Sequence, residues 1–174
     1  MERITNIKDY SKWVDSVWYS KKDTNSIANN TDVSVMTLGL VGEVSEVIEE
    51  CIDNKNTGID LQKEIGDVFY YFVRICNHFD LEADELYHES QINALIDNEH
   101  NRSTILLQLS KHSGLAADVI KKKIRDDKLN RELLIENLLG VIKYLMAIIT
   151  AYDFHFFDII NLNVNKINTR KKTK

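Results

Sequence analysis

The chain has 174 residues, 44% of them hydrophobic and 28% charged, with a formal net charge of −5. That length holds one domain, or two small units sharing a core, and the acidic balance argues against a polymeric nucleic-acid binder, which carries a basic face. Proline is absent and there are 6 glycines, which together with long period-3.6 patterning predicts an all-α chain.

The first helix is predicted over about residues 6–20, with Ile7, Tyr10, Trp13, Val14, Val17 and Trp18 on one stripe and Thr5 or Asn6 as its cap. Trp13 reads as core. Trp18, at the helix end and followed by Lys21 and Lys22, is placed to edge a pocket. Residues 21–31 are polar and turn-rich, hence a loop. Thr31 or Asp32 then caps a long helix to about Asp53, with Val33, Met36, Val41, Val44, Val47, Ile48 and Ile52 at helical spacing. Glu43, Glu46 and Glu50 share one stripe of it, and Glu49 points elsewhere.

A loop over Asn54–Asp60 offers Asp60 as the cap of a third helix, about 61–79, on which Glu64, Asp67 and Tyr71 share a stripe. A weaker helical stretch over 82–101 ends in the polar link ALIDNEHNRS. Three more helices follow at about 103–125, 131–152 and 155–170, the last carrying His155, Asn163, Lys166 and Arg170. Cys51 and Cys76 fall at apolar helix positions and read as buried thiols of a cytosolic protein. The opening MERITNIKDYSKW has no apolar signal core, and the apolar run 138–152 is broken by Lys143 and shorter than the roughly 20 residues of a membrane span. A soluble, cytoplasmic protein with no membrane partner is therefore expected.

The chemistry concentrates in two acid-x-x-acid steps, Glu43/Glu46 and Glu64/Asp67. About 100° per residue puts each pair on one stripe. Val44, Val47, Ile48 and Ile52 flank the first pair; Ile65, Val68, Phe69 and Phe72 flank the second. Four carboxylates held against a core face are costly unless a positive charge neutralises them. Mg²⁺ does this, because it takes oxygen ligands and keeps waters for a phosphate; Mn²⁺ can substitute. The five histidines, His78, His88, His100, His112 and His155, share no spacing and read as surface or filler residues.

The chain also resembles itself. Shifted by 72 residues, Ser45–Ile52 falls on Ala117–Ile124; shifted by 73, Val68, Tyr71, Ile75 and Asp80 meet Val141, Tyr144, Ile148 and Asp153. The apolar positions agree and the acids do not: Glu43 faces Leu115, Glu64 faces Asn137, Asp67 faces Gly140, and only Glu46 keeps a partner, Asp118. Conversely, Asn163, Lys166 and Arg170 face Ser90, Asn93 and Asp97. The predicted architecture is a single domain, 1–174, built as a helical bundle of two tandem repeats, about 1–98 with the metal site and about 99–174 without most of the acids.

LGLVGEVSEV followed by KEIGDVFYYF resembles the MazG-like all-α nucleoside triphosphate pyrophosphatases, whose signature is ExxE, a spacer, then ExxD. Here the spacer is residues 47–63. Asn163-Val-Asn-Lys166-Ile-Asn-Thr-Arg170 resembles the family's closing N-x-x-K-x-x-x-R helix, and the doubled plan is similar to the dimeric dUTPases of the same superfamily. The resemblance implies that Glu43, Glu46, Glu64 and Asp67 hold Mg²⁺ and form the catalytic set. It implies that Tyr71 lines a nucleotide pocket, the pocket whose edge the position of Trp18 suggests, and that Asn163, Lys166 and Arg170 meet phosphates or sugar. The implied reaction is (d)NTP to (d)NMP and pyrophosphate, in nucleotide-pool housecleaning or dNTP, dUTP or dCTP control, by a homodimer.

Three other readings are compatible with parts of the chain. A non-catalytic helical module binding a nucleotide or a partner needs the same pocket but no turnover. A phosphoribosyl-ATP pyrophosphatase uses the same chemistry on another substrate. A di-iron carboxylate bundle needs two Glu-x-x-His steps, and Glu85-Leu-Tyr-His88 is the one such step on a plausible helix.

Overall fold

The computed structural model describes residues 3–18, 26–53, 58–96 and 101–172, and among these it contains seven α-helices and no strand. They are α1 (Ile7–Val17), α2 (Ser26–Asp53), α3 (Gly58–His78), α4 (Ala83–Ile96), α5 (Arg102–Asp126), α6 (Arg131–Ala151) and α7 (Phe156–Lys172). Residues 21–25 of the expected loop 21–31, with Lys21 and Lys22, residues 54–57 of the expected loop 54–60, residues 97–100 of the polar link, with Asp97 and His100, and the last two residues, Thr173 and Lys174, lie outside the described residues.

Local chemistry sets most helix ends. Asn6 caps α1, its side chain accepting from the Asp9 amide at 2.9 Å; Asn101 and Asn130 cap α5 and α6 in the same way, at 2.9 and 3.0 Å. α3 and α6 close alike. Asp80 and Asp153 adopt left-handed φ of 51° and 54°, and the amides that follow, Leu81 and Phe154, reach back to the carbonyls of Cys76 and Ile149 at 2.9 and 3.0 Å. Arg131 ties the two hairpins together by donating to the Phe79 and Asp80 carbonyls, both at 2.6 Å.

Two starts differ from expectation. α2 begins at Ser26, so Thr31 and Asp32 lie inside it rather than capping it. The polar run has no breaker, and Asp32 has a tertiary use: it is buried, accepting from the Trp18 indole at 2.7 Å and from Arg74 at 3.3 Å. α3 begins at Gly58, and Asp60, expected as its cap, pairs instead with Lys63 at 2.7 Å.

Val33, Met36, Leu40, Val44, Val47 and Cys51 form the buried stripe of α2; Ile52, expected among its apolar positions, is 65% exposed. α2 packs on α3 and α5 on α6 as antiparallel hairpins, with α2 also against α5. The closing helices cross over: α4, which follows the first hairpin, packs on α6, and α7, which follows the second, packs on α3. α1 lies on α3 and α4. α6 is long and apolar enough by composition to span a membrane, yet most of its apolar stretch is buried among the other helices. The crossing of α7 onto α3 is what completes the acidic site.

Candidate metal and phosphate site

Glu43 comes from α2, Glu64 and Asp67 from successive turns of α3, and α7 closes the space from the other side. Helical spacing puts Glu64 and Asp67 on one stripe, and the buried residues beside them, Ile65, Val68 and Phe69, force that stripe inward. One carboxylate oxygen from each of Glu43, Glu64 and Asp67 lies within 4.8 Å of the others. Asp67 is buried, and Glu43 and Glu64 are half-buried. Glu46 is exposed and stands outside the trio, although its charge reaches both Glu43 and Glu64.

Both Asp67 oxygens are engaged by α7. Asn163 donates its amide to Oδ1 at 2.5 Å and accepts from the Tyr10 hydroxyl at 2.8 Å; Tyr10 and Asn163 are fully buried. Lys166 Nζ donates to Oδ2 and lies 3.8 Å from Glu64 Oε2. Gly66 permits this closeness: a Cβ there would fall 2.9 Å from Asn163 Cβ.

The electrostatics are those of crowded acids with one cation. The Glu43 carboxyl is pushed up to about 8, first by burial, then by the charges of Asp67, Glu46 and Glu64, with Lys166 opposing. Glu64 is raised by burial; Lys166 counters this while Asp67, Glu46 and Glu50 add to it. Burial, followed by the charge of Asp67, holds the Tyr10 hydroxyl well above its ordinary value, so it stays a donor. Three converging carboxylates, none with a soft or nitrogen neighbour in the set, suit a hard divalent cation such as Mg²⁺ or Mn²⁺.

The other sequence candidates are placed as follows. Tyr71, one turn beyond Asp67, is half-buried, with its ring against Gly39, where a Cβ would lie 2.3 Å away. Trp18 is only 8% exposed; its N–H serves Asp32, Arg74 sits over its ring at 5.0 Å, and its edge meets Tyr71. A cleft of about 800 Å³ lined by Trp18, Arg74, Asp15, Asn77 and Asp84 includes none of the four acids. Arg170 is exposed, one turn past Lys166 on α7. Glu85 and His88, the one step of a di-iron pattern, are both exposed on α4.

In the second hairpin Asn137 and Gly140 occupy the positions that the 73-residue shift pairs with Glu64 and Asp67. His112, expected as a filler, has a defined place there. Its ring fills the space over Gly140, stacks on Tyr144 at 5.8 Å and shares a hydrogen bond with Asn137 at 3.1 Å. No motif in the sequence marks Tyr10, Gly39, Gly66 or His112 as a site residue. Glycines inside helices were the available signal, since only a close neighbour makes a missing Cβ useful there.

Residues 32–93, which run from α2 into α4 and include all four acids, match the family model of the MazG nucleotide pyrophosphohydrolase domain. Neither a curated protein nor a solved structure matched the chain. The likeness to that domain is carried by the stretch 32–93, in a chain whose described residues form helices and no strand.

Proposed function

We propose that the protein is a Mg²⁺-dependent nucleoside triphosphate pyrophosphohydrolase, converting a (d)NTP to (d)NMP and pyrophosphate. The observation that carries this reading is the meeting of Glu43, Glu64 and Asp67 with Lys166 across from them on α7. Glu43, Glu64 and Asp67 would hold the metal, with Glu46 at the edge of the set. When bound, the metal polarises a phosphoryl oxygen and makes a coordinated water a better nucleophile. Glu46 and Glu50, which flank the trio, are the acids left to take the proton of the attacking water. Asn163 fixes the rotamer of Asp67 through a bond backed by Tyr10, so the site is preorganised before substrate arrives. Lys166 and, further out, Arg170 supply the positive charge that offsets charge developing on the phosphates as the bond between the α-phosphorus and its bridging oxygen breaks. Tyr71, set against Gly39, and behind it Trp18 form the aromatic side on which a base would rest.

We further propose that the chain is a tandem duplication with one working site. The matched left-handed Asp80 and Asp153, their matched closing bonds and the exchanged closing helices all support it. A homodimer, a cytoplasmic location and a role in nucleotide-pool control complete the proposal, the first to be checked by light scattering. The decisive experiment is a panel of dNTPs and NTPs, with phosphoribosyl-ATP included, incubated with Mg²⁺ and scored for pyrophosphate against orthophosphate. Pyrophosphate release from at least one triphosphate, lost in Glu43→Gln and Asp67→Asn, is the expected result. No turnover across the panel, with binding intact, would leave a non-catalytic nucleotide-binding module.

A further inference from the structure

Lys166 stands where the proposed cation has to go. Asp67 Oδ1 is committed to Asn163, so Oδ2 is the oxygen it can offer to a new partner, and Lys166 Nζ is on it. The same ammonium is 3.8 Å from Glu64 Oε2, so it bridges the two acids that α3 contributes to the trio. Its side chain is only 18% exposed, and it reaches the acids from the neighbouring helix on a flexible four-carbon stem. A cation liganded by oxygen at roughly 2.0–2.1 Å competes with the ammonium for Oδ2 and for the space between these two carboxylates. Neither could two positive centres sit side by side there at low cost.

We propose that Lys166 is the resident counter-cation of the cation-free site, displaced from Asp67 and Glu64 when a divalent ion enters and thereby released toward the triphosphate. This rests on the metal-site reading of the same residues. It assigns Lys166 two successive partners, carboxylates first and phosphates second, and makes its release dependent on metal. A lysine that served only to bind phosphate would leave the affinity for metal alone unchanged when removed. A lysine that competes would, when removed, let the metal in more easily while still weakening the nucleotide.

The test is a Mn²⁺ titration without nucleotide, with free Mn²⁺ followed by electron paramagnetic resonance, on the wild-type chain and on Lys166→Met. The variant should bind Mn²⁺ about tenfold more tightly, within the usual range of couplings between two ligands of one site. Equal or weaker binding by a variant whose helicity matches wild type overturns the proposal and leaves the proposed function standing. If neither chain binds Mn²⁺, the metal reading itself fails, and the two failures are thus distinguishable. Should Lys166→Met not fold, the wild-type chain still decides the matter. Amine acetylation read by peptide mass spectrometry should be slow at Lys166 in chelator and several-fold faster in saturating Mg²⁺. A rate that does not rise overturns the proposal.

Discussion

Asp67 is held by one hydrogen-bond chain that starts in the N-terminal helix: Tyr10 hydroxyl to Asn163 carbonyl, Asn163 amide to Asp67. Removing the first link tests the chain without touching an acid. Tyr10→Phe keeps the stacking on Trp13 but strips a fully buried acceptor of its donor, which costs about 1–3 kcal/mol. Urea unfolding should show that loss, and turnover should fall by less than in Asp67→Asn. Glu43 gives a pH prediction. Its carboxyl rises from an ordinary 4.5 to about 8, chiefly by burial. Between those values the folded chain keeps a proton that the unfolded chain has released, so stability declines as pH rises across the window. The contribution is fully present below the window and gone above it. Glu43→Gln has no such proton to lose. In chelator, the thermal midpoint of the variant minus that of wild type should therefore grow from about pH 5 to about pH 9. A gap that stays flat would count against the crowded-acid description. Saturating Mg²⁺ should shrink the gap, since only the glutamate brings a negative charge to the cation.

At the scale of elements, the approach of α7 to α3 decides whether Lys166 and Asn163 reach the acids, and Gly66 sets that approach. In an open helix, Gly→Ala gains roughly 0.5–1 kcal/mol. At Gly114, where a Cβ would meet nothing within 4 Å, that gain is the expected result. At Gly66 the new Cβ would lie 2.9 Å from Asn163 Cβ and 3.4 Å from the Ile159 carbonyl. Those atoms belong to the frame of α7 and cannot swing aside, so overpacking outweighs propensity, by about 1–3 kcal/mol. Gly66→Ala should lower both the urea midpoint and the turnover, while Gly114→Ala raises the first and spares the second. The sequence could state the acids and the closing helix because helical period and apolar flanks are local properties, and six of seven helices lie within a few residues of expectation. It could not state that α2 starts at Ser26, since what holds Asp32 inside that helix is Trp18 and Arg74, far away in the chain. Nor could it state that Trp18, which does line a cleft, also spends its indole N–H on Asp32. Nor could helical phase alone separate exposed Glu46 from the trio its neighbours form.

The whole molecule places one set of acids in a frame that has two similar hairpins. α7 serves α3, and α4 serves α6, so each hairpin is finished by a helix from the other half. In the second hairpin the space facing α6 is already taken. A Cβ on Gly140 would meet the His112 ring at 2.4 Å, and that ring is held by Asn137 and stacked on Tyr144. A side chain at residue 140 therefore requires residue 112 to shrink, and the two positions should be coupled energetically. Gly140→Ala alone should destabilise by about 1–3 kcal/mol through overpacking. In a His112→Ala background the same change has room, loses its penalty and recovers the helix-propensity gain of roughly 0.5–1 kcal/mol. A double-mutant cycle by urea unfolding reads this directly, and additive effects would mean that the ring does not fill the space over Gly140. If the filled second hairpin is also a silent one, a non-hydrolysable triphosphate titrated calorimetrically with Mg²⁺ should bind once per chain in wild type. It should still bind once in His112→Ala, because opening the space restores room but no carboxylates. Two binding events in either chain would contradict a single composite site built by α2, α3 and α7.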